Sequence, residues 1–377
     1  MRPRLLEILR CPKCRARFAA SSFDLPTRGN EIVEGALTCA CGATYPIVDT
    51  IPRVLDNAYE LFPDFRRRHQ SRPELLVAAS QAAGKPRFDN LQNKTQASFG
   101  YQWTTFSEMV CDFRDNFWNY LHPATPAFFA GKLGLDAGCG FGRHIYHAAS
   151  CGAEMVGVDL SSAIDSAHAN TRHLPNVHLV QADIYRLPFA PETFDIVYSV
   201  GVLHHLPDPA RSVRALAPLV KPDGMMYVWL YSKSRRFMNA VLGAARAVTT
   251  RLPHPLVKQI SLAGAVVDWA FIGPYLALRG IPGLGRVVES VTPPRVKLYS
   301  RYPFQVSHAD WFDRLAAPIR FYYTDTEVKA VLESAGLADV QTTHTGLYGV
   351  RGNGIKRRPA ESPTVAASPT APQSTPV

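Results

Sequence analysis

Two sets of residues in this 377-residue chain are spaced to do chemistry. The first is four cysteines in two close pairs, Cys11-Pro-Lys-Cys14 and Cys39-Ala-Cys41. A two-residue knuckle can wrap a tetrahedral ion, and four thiolates make a soft ligand set suited to zinc. The second is the string Asp136-Ala-Gly138-Cys-Gly140-Phe-Gly142, which follows the apolar run Leu133–Leu135. Glycines there let the backbone pass close under a ligand. Arg143 stands where the dinucleotide fingerprint G-x-G-x-x-G would place its third glycine, and that glycine comes one position early at Gly142, so a pyrophosphate-binding turn is disfavoured. Val156-Gly-Val-Asp159 ends in an acid 23 residues after Asp136, where a carboxylate can accept both hydroxyls of a ribose. Val180-Gln-Ala-Asp183-Ile184 follows 24 residues later, with an acid able to accept the exocyclic amine of adenine and an isoleucine to pack on the ring.

These residues need a scaffold that brings strand ends together. From Lys132 to Tyr231, short apolar runs alternate with helix-like stretches, which predicts βαβ units and a parallel sheet. Thr324-Asp-Thr-Glu327 has capping-box spacing and opens a helix ending at Gly336; two closing strands follow over 338–345 and 347–356. The resulting division is a zinc-ribbon-like segment (1–56), a helical connector and N-terminal cap (57–131), an α/β domain (132–357) and a Pro/Ser/Thr/Ala-rich disordered tail (358–377). A ribbon so short has little core, so a metal would supply much of its folding free energy.

Residues 232–301 interrupt the alternation. They hold eleven Lys/Arg against two acids, Asp268 and Glu289, and so carry most of the chain's net charge of +10. They also hold the long apolar run 260–278. Its length approaches a bilayer span, and Asp268 and Pro274 argue against spanning. A helical lid is expected here, with peripheral contact to an anionic membrane as one of its uses. The N-terminal apolar run is short and broken by Glu7, and paired cysteines suit a reducing compartment, so the chain is expected in the cytoplasm, with the inner membrane face as a possible station.

In order and spacing, D-x-G-x-G-x-G at 136–142, Asp159, Ala182-Asp183-Ile184, Phe194-Asp-Ile-Val with Leu203-His204-His205-Leu206, and Lys221-Pro-Asp-Gly224 resemble class I S-adenosylmethionine methyltransferases of the type 11 kind. The resemblance implies a Rossmann-like, mostly parallel seven-stranded sheet with helices on both faces. It places Asp136 near the methionine amino group and Gly138, Gly140 and Gly142 along the amino-acid portion. Asp159 and Leu160 would meet the ribose, Asp183 and Ile184 the adenine, and Val200 the donor pocket; Tyr101 or Trp103 would face the sulfonium. His204 and His205 are the candidate bases for an acceptor proton. His308, Asp310, Trp311, Arg320, Tyr322 and Tyr323 are further candidates for the acceptor wall. Tyr45-Pro-Ile-Val-Asp-Thr50-Ile-Pro52 resembles the zinc-ribbon family that includes the activator subunit of tRNA and translation-factor methyltransferases, with Thr50 where that family carries Gly.

Three functions remain open on this basis. A small-molecule or lipid-linked acceptor is favoured. An RNA methyltransferase is second, because the basic excess suits RNA but lies in an apolar insert. A non-enzymatic cofactor-binding scaffold is disfavoured by the complete set of Asp136, Gly138, Gly140, Asp159 and Asp183.

Overall fold

A computed structural model describes residues 1–23, 31–75, 90–346 and 348–358. The tail expected over 358–377 lies outside the described residues from Pro359 onward. The strands are β1 (Ala19–Ser22), β2 (Gly35–Thr38), β3 (Thr44–Val48), β4 (Ile51–Val54), β5 (Leu133–Ala137), β6 (Glu154–Asp159), β7 (Val177–Ala182), β8 (Phe194–Val200), β9 (Val220–Tyr231), β10 (Ala338–Thr345) and β11 (Gly349–Ile355). They form one sheet in the order β1-β2-β3-β4-β7-β6-β5-β8-β9-β11-β10.

The seven strands from β7 to β10 are the Rossmann-like sheet that the resemblance implies. β7, β6, β5, β8 and β9 run parallel, and β11 inserts antiparallel between β9 and β10. The parallel strands are short apolar runs because helices cover both faces. One face packs Leu135, Val156, Val180 and Val197, the other Met155, Ile196, Tyr198 and Tyr227. The helix Asp325–Ser334 opens with the expected capping box, Thr324 and Glu327 each bonding the other's backbone N–H.

The ribbon is joined to this sheet in a way the pattern of residues does not reveal. β4 pairs parallel with β7, Arg53 opposite Gln181 and Val54 opposite Ala182, so the four ribbon strands extend the sheet to eleven. Leu5, Leu9, Leu37 and Ile47 lie in the same apolar cluster as Leu135 and Val180. The Arg10 N–H donates to the Pro188 carbonyl at 2.8 Å, and Arg15 reaches the carbonyls of Leu187 and Phe189. The ribbon therefore shares a core with the α/β domain rather than standing apart.

β3 and β4 are joined by the two-residue turn Asp49-Thr50, with φ of +52° and +67°. Positive φ at both positions is the type I′ geometry that suits the twist of a hairpin, and it normally selects Gly at the second. Thr50 occupies it with its hydroxyl 3.2 Å from Nε2 of His168.

The insert forms helices Arg236–Thr249, His254–Leu278, Gly285–Val291 and Pro294–Tyr299 before the chain returns through Phe304–Ala316. Pro274 does not break the 25-residue helix, and Asp268 is paired with Arg295, Nη2 to Oδ2 at 2.6 Å. By length and composition this helix could cross a bilayer. Only the end of the insert, at Leu298, Tyr299 and Arg301, reaches the main cavity; helices 236–291 stand away from it, so most of the insert is not a cover for the site.

Candidate functional site

A cavity of about 820 Å³ opens over the C-terminal ends of β5, β6, β7 and β8. Strand order reverses at β5, and the crevice beside such a switch point is where open α/β sheets take ligands. Its floor is the glycine turn. Gly138 has φ of +89°, and a side chain there would collide with Val202 at 2.4 Å. Trp103 stacks on Phe141 with ring centres 5.0 Å apart and lies over Gly140.

The two acids flank this turn. Asp159 accepts the Gly140 N–H at 2.9 Å on one oxygen, and the Ser161 N–H and hydroxyl at 2.8 and 2.7 Å on the other. Burial pushes its carboxyl up, and these bonds oppose the shift. Asp183 accepts the Tyr185 N–H at 2.9 Å, with the Gln92 amide 3.4 Å from its other oxygen. Each carboxylate keeps lone pairs for a diol or an amine. Leu160, Ile184 and Val200 line the same space, as expected. Gln96 holds the Leu160 carbonyl at 2.9 Å. The Gln181 amide donates to the same carbonyl at 3.1 Å, while its oxygen accepts from Arg53 of the ribbon at 3.2 Å. A fully buried ribbon arginine thus lies two hydrogen bonds from the cavity wall.

Four expected residues are placed elsewhere. Asp136 lies beneath the glycine turn, not on the cavity surface; burial pushes its carboxyl up to about 8, against the opposing pull of the Tyr198 hydroxyl. Gly142 caps the helix Arg143–Ser150 with φ of +91°, and a Cβ there would press Ala167 at 3.1–3.3 Å, so it serves helix packing. Tyr101 faces Phe312 and His254, because two residues along a helix turn by about 200° and Trp103 takes the cavity side. His204 is fully buried, tilted against Tyr231 with ring centres 4.1 Å apart, and does not line the cavity.

His205 does line it. Its Nδ1 lies 2.7 Å from the Ile319 carbonyl, which can only accept, so Nδ1 carries the proton and Nε2 is a bare lone pair. Nε2 has no hydrogen-bond partner among the described residues and stands 3.9 Å from Oδ1 of Asp313. Burial lowers His205 to about 4 against the pull of Asp313, so the ring is neutral near pH 7. Asp313 accepts from Tyr231 at 2.6 Å and Arg320 at 2.7 Å; burial opposes its charge, and Arg320 holds it ionised below the usual range. Of the wall candidates before the closing helix, Asp310 reaches the cavity, whereas His308, Trp311, Arg320, Tyr322 and Tyr323 do not. The sequence pattern also missed Asn116 and the aromatic wall of Tyr120, Trp229, Tyr231, Tyr299 and Tyr302, which comes from three separate segments.

In the ribbon, all four cysteine Sγ atoms lie within 4.8 Å of one another. The pairs Cys11–Cys41 and Cys14–Cys39 are 3.6 and 3.3 Å apart. Tetrahedral zinc with bonds of about 2.3 Å places sulfurs about 3.8 Å apart, so the set fits that ion. The short Cys39-Ala-Cys41 spacing is accommodated by a turn in which the Gly42 N–H donates to the Cys39 carbonyl at 2.9 Å. The Ala43 N–H helps hold the Cys41 thiol down to about 7.

Comparison with known proteins agrees with both halves. Residues 135–228 match the methyltransferase domain family, and residues 2–49 match the Trm112p-like protein family. The chain is 37% identical over 139 residues to a ubiquinone biosynthesis O-methyltransferase of Albidiferax ferrireducens, covering 35% of this chain and 55% of that protein. It is 37% identical over 123 residues to its counterpart in Aromatoleum aromaticum, covering 31% and 52%. The chain thus spans about half the length of these curated relatives. Among solved structures, the complex of the Haloferax volcanii Trm112 methyltransferase activator with a putative methyltransferase aligns over 70% of this chain and 100% of that one, at 12% identity and a TM-score of 0.41.

Proposed function

We propose that this chain, a methyltransferase domain carrying its own Trm112p-like ribbon, transfers the methyl group of S-adenosylmethionine to a hydroxyl or amine of a small-molecule or lipid-linked acceptor. When bound, S-adenosylmethionine supplies an electrophilic methyl group on a sulfonium. The observation that carries the reading is that the glycine turn, Asp159, Asp183 and His205 line one cavity.

Asp159 would hold the ribose diol, Asp183 and Ile184 the adenine, and Gly138 and Gly140 the amino-acid portion. Trp103 offers a π face to the cation. His205 is the group that would take the proton given up by the acceptor's hydroxyl or amine. Asp313, ionised and close, stabilises the imidazolium so formed. The names of the ubiquinone-pathway relatives support a hydroxylated acceptor, and the aromatic wall of Tyr120, Trp229 and Tyr302 suits a ring. Work in the cytoplasm, at the inner face of a membrane, follows if that acceptor carries a lipid tail.

The test is transfer of a radiolabelled methyl group from S-adenosylmethionine into fractionated cell extract. Label in an organic-soluble small molecule is expected. Label in ribonuclease-sensitive material would establish the RNA alternative, and no label with intact donor binding would favour the scaffold. Asp159→Ala should weaken donor binding roughly tenfold to a hundredfold, as a ribose left without its acceptor costs about 1–3 kcal/mol; unchanged affinity by calorimetry would overturn the ribose assignment.

A further inference from the structure

The insert presents an apolar face that the rest of the chain does not cover. Among the described residues, the exposed large hydrophobic side chains all lie between Phe237 and Val291 except Leu61, Leu91, Val110 and Phe321. The long helix His254–Leu278 uses Val257, Ser261, Ala265, Ile272 and Tyr275 to pack inward, partly on Phe304–Ala316. Leu256, Ile260, Val266, Val267, Phe271 and Leu278 point outward at spacings near a helical turn. Phe271 is 62% exposed, and Phe237 and Val291 on the neighbouring helices are 80% and 73% exposed. A helix apolar on both faces belongs inside a core or in lipid, and an uncovered patch of this extent marks an interaction surface.

Charge identifies the occupant. The two acids of the insert are engaged within it: Asp268 with Arg295, and Glu289 with Lys297 and the Tyr275 hydroxyl. Arg236 and Arg286 adjoin the exposed Phe237 and Val287 in sequence and Arg251 follows the exposed Val248; all three are exposed and make no ion pair among the described residues. A second copy of this chain would bring like charges together, whereas an anionic bilayer satisfies both the arginines and the apolar side chains.

We infer that the outward face of helices 236–291 docks on an anionic membrane surface, the long helix lying in its plane and leaving the cavity, which reaches the insert only at its end, free to receive a lipid-like acceptor. The last clause rests on the acceptor reading above; the docking itself rests on the insert alone.

The experiment is co-sedimentation of the full chain with phosphatidylcholine vesicles, with and without phosphatidylglycerol. Binding to the anionic vesicles is expected, falling as salt rises. Each arginine near such a surface is worth about fivefold in affinity, so the triple change Arg236→Gln, Arg251→Gln, Arg286→Gln should weaken binding by about a hundredfold. Val267→Asp with Phe271→Asp should abolish it. All five positions are exposed, and donor binding measured on the same variants reports that the fold is intact. Wild-type protein left in the supernatant at low salt, or variants that sediment equally, would overturn docking; a dimer dissolved by the Asp pair would reassign the face to a second copy. Vesicle binding without methyl transfer leaves docking standing and removes the acceptor reading; transfer without vesicle binding does the reverse.

Discussion

His205 makes the stability of this protein sensitive to acid in a way that can be separated from its other histidines. The ring is buried and neutral, titrating near 4 in the folded chain and near 6.5 once unfolded. Between those values the unfolded chain binds the proton and the folded chain does not, so stability rises with pH there. The contribution is fully present above about 6.5 and is lost as pH falls towards 4. Integration over the two titrations gives a loss of about 2 kcal/mol between pH 7 and pH 5, and about 3 kcal/mol by pH 4. His204 and His144, also lowered by burial, act in the same sense. The useful quantity is therefore a difference: urea unfolding of wild type and His205→Gln at pH 7 and pH 5. The variant should lose about 2 kcal/mol less than wild type over this interval, whatever its stability at pH 7. Equal losses would mean that the ring is not held neutral, and the argument for a bare Nε2 would fall with it.

Two further outcomes follow from the ribbon. Protein purified without chelator should carry one zinc per chain by elemental analysis, and Cys14→Ser should lower both metal content and the thermal midpoint of the whole chain in a single transition, because ribbon and α/β domain share a core; metal-free protein with an ordered ribbon would refute the metal site. At the turn, Thr50→Gly should be more stable than Thr50→Ala by about 1 kcal/mol in chemical denaturation, since both lose the His168 contact and only glycine escapes the cost of φ of +67°; equal stabilities would show that the left-handed residue is not strained.

The donor half of the site was legible because its determinants are local. A strand that ends in an acid and a glycine turn that follows it are set by neighbours in the chain, so Gly138, Gly140, Asp159 and Asp183 could be placed by spacing alone. Asp136 shared that motif, yet whether its carboxyl faces the cavity or lies beneath the turn depends on packing. Tyr101 and Trp103 were equivalent as aromatics two positions apart, and only the rotation of their helix separates the one on the cavity from the one on the insert. His204 and His205 posed the same problem on a single turn. The aromatic wall was hidden because Tyr120, Trp229 and Tyr302 meet only after distant segments fold together. The pairing of β4 with β7 rests on two residue pairs far apart in the chain, and no periodicity announces it; the ribbon could be recognised, but not its seat.

That seat has a consequence for choice of partner. The edge of β7 is where a strand from another polypeptide could add, and β4 of the same chain already fills it. A separate ribbon protein would have to displace a covalently tethered competitor that shares its host's core. Stoichiometry at that edge is therefore settled at one ribbon per domain when the chain is made, independent of how much of any free ribbon the cell contains, and among the described residues the outer strands of the sheet are β1 and β10.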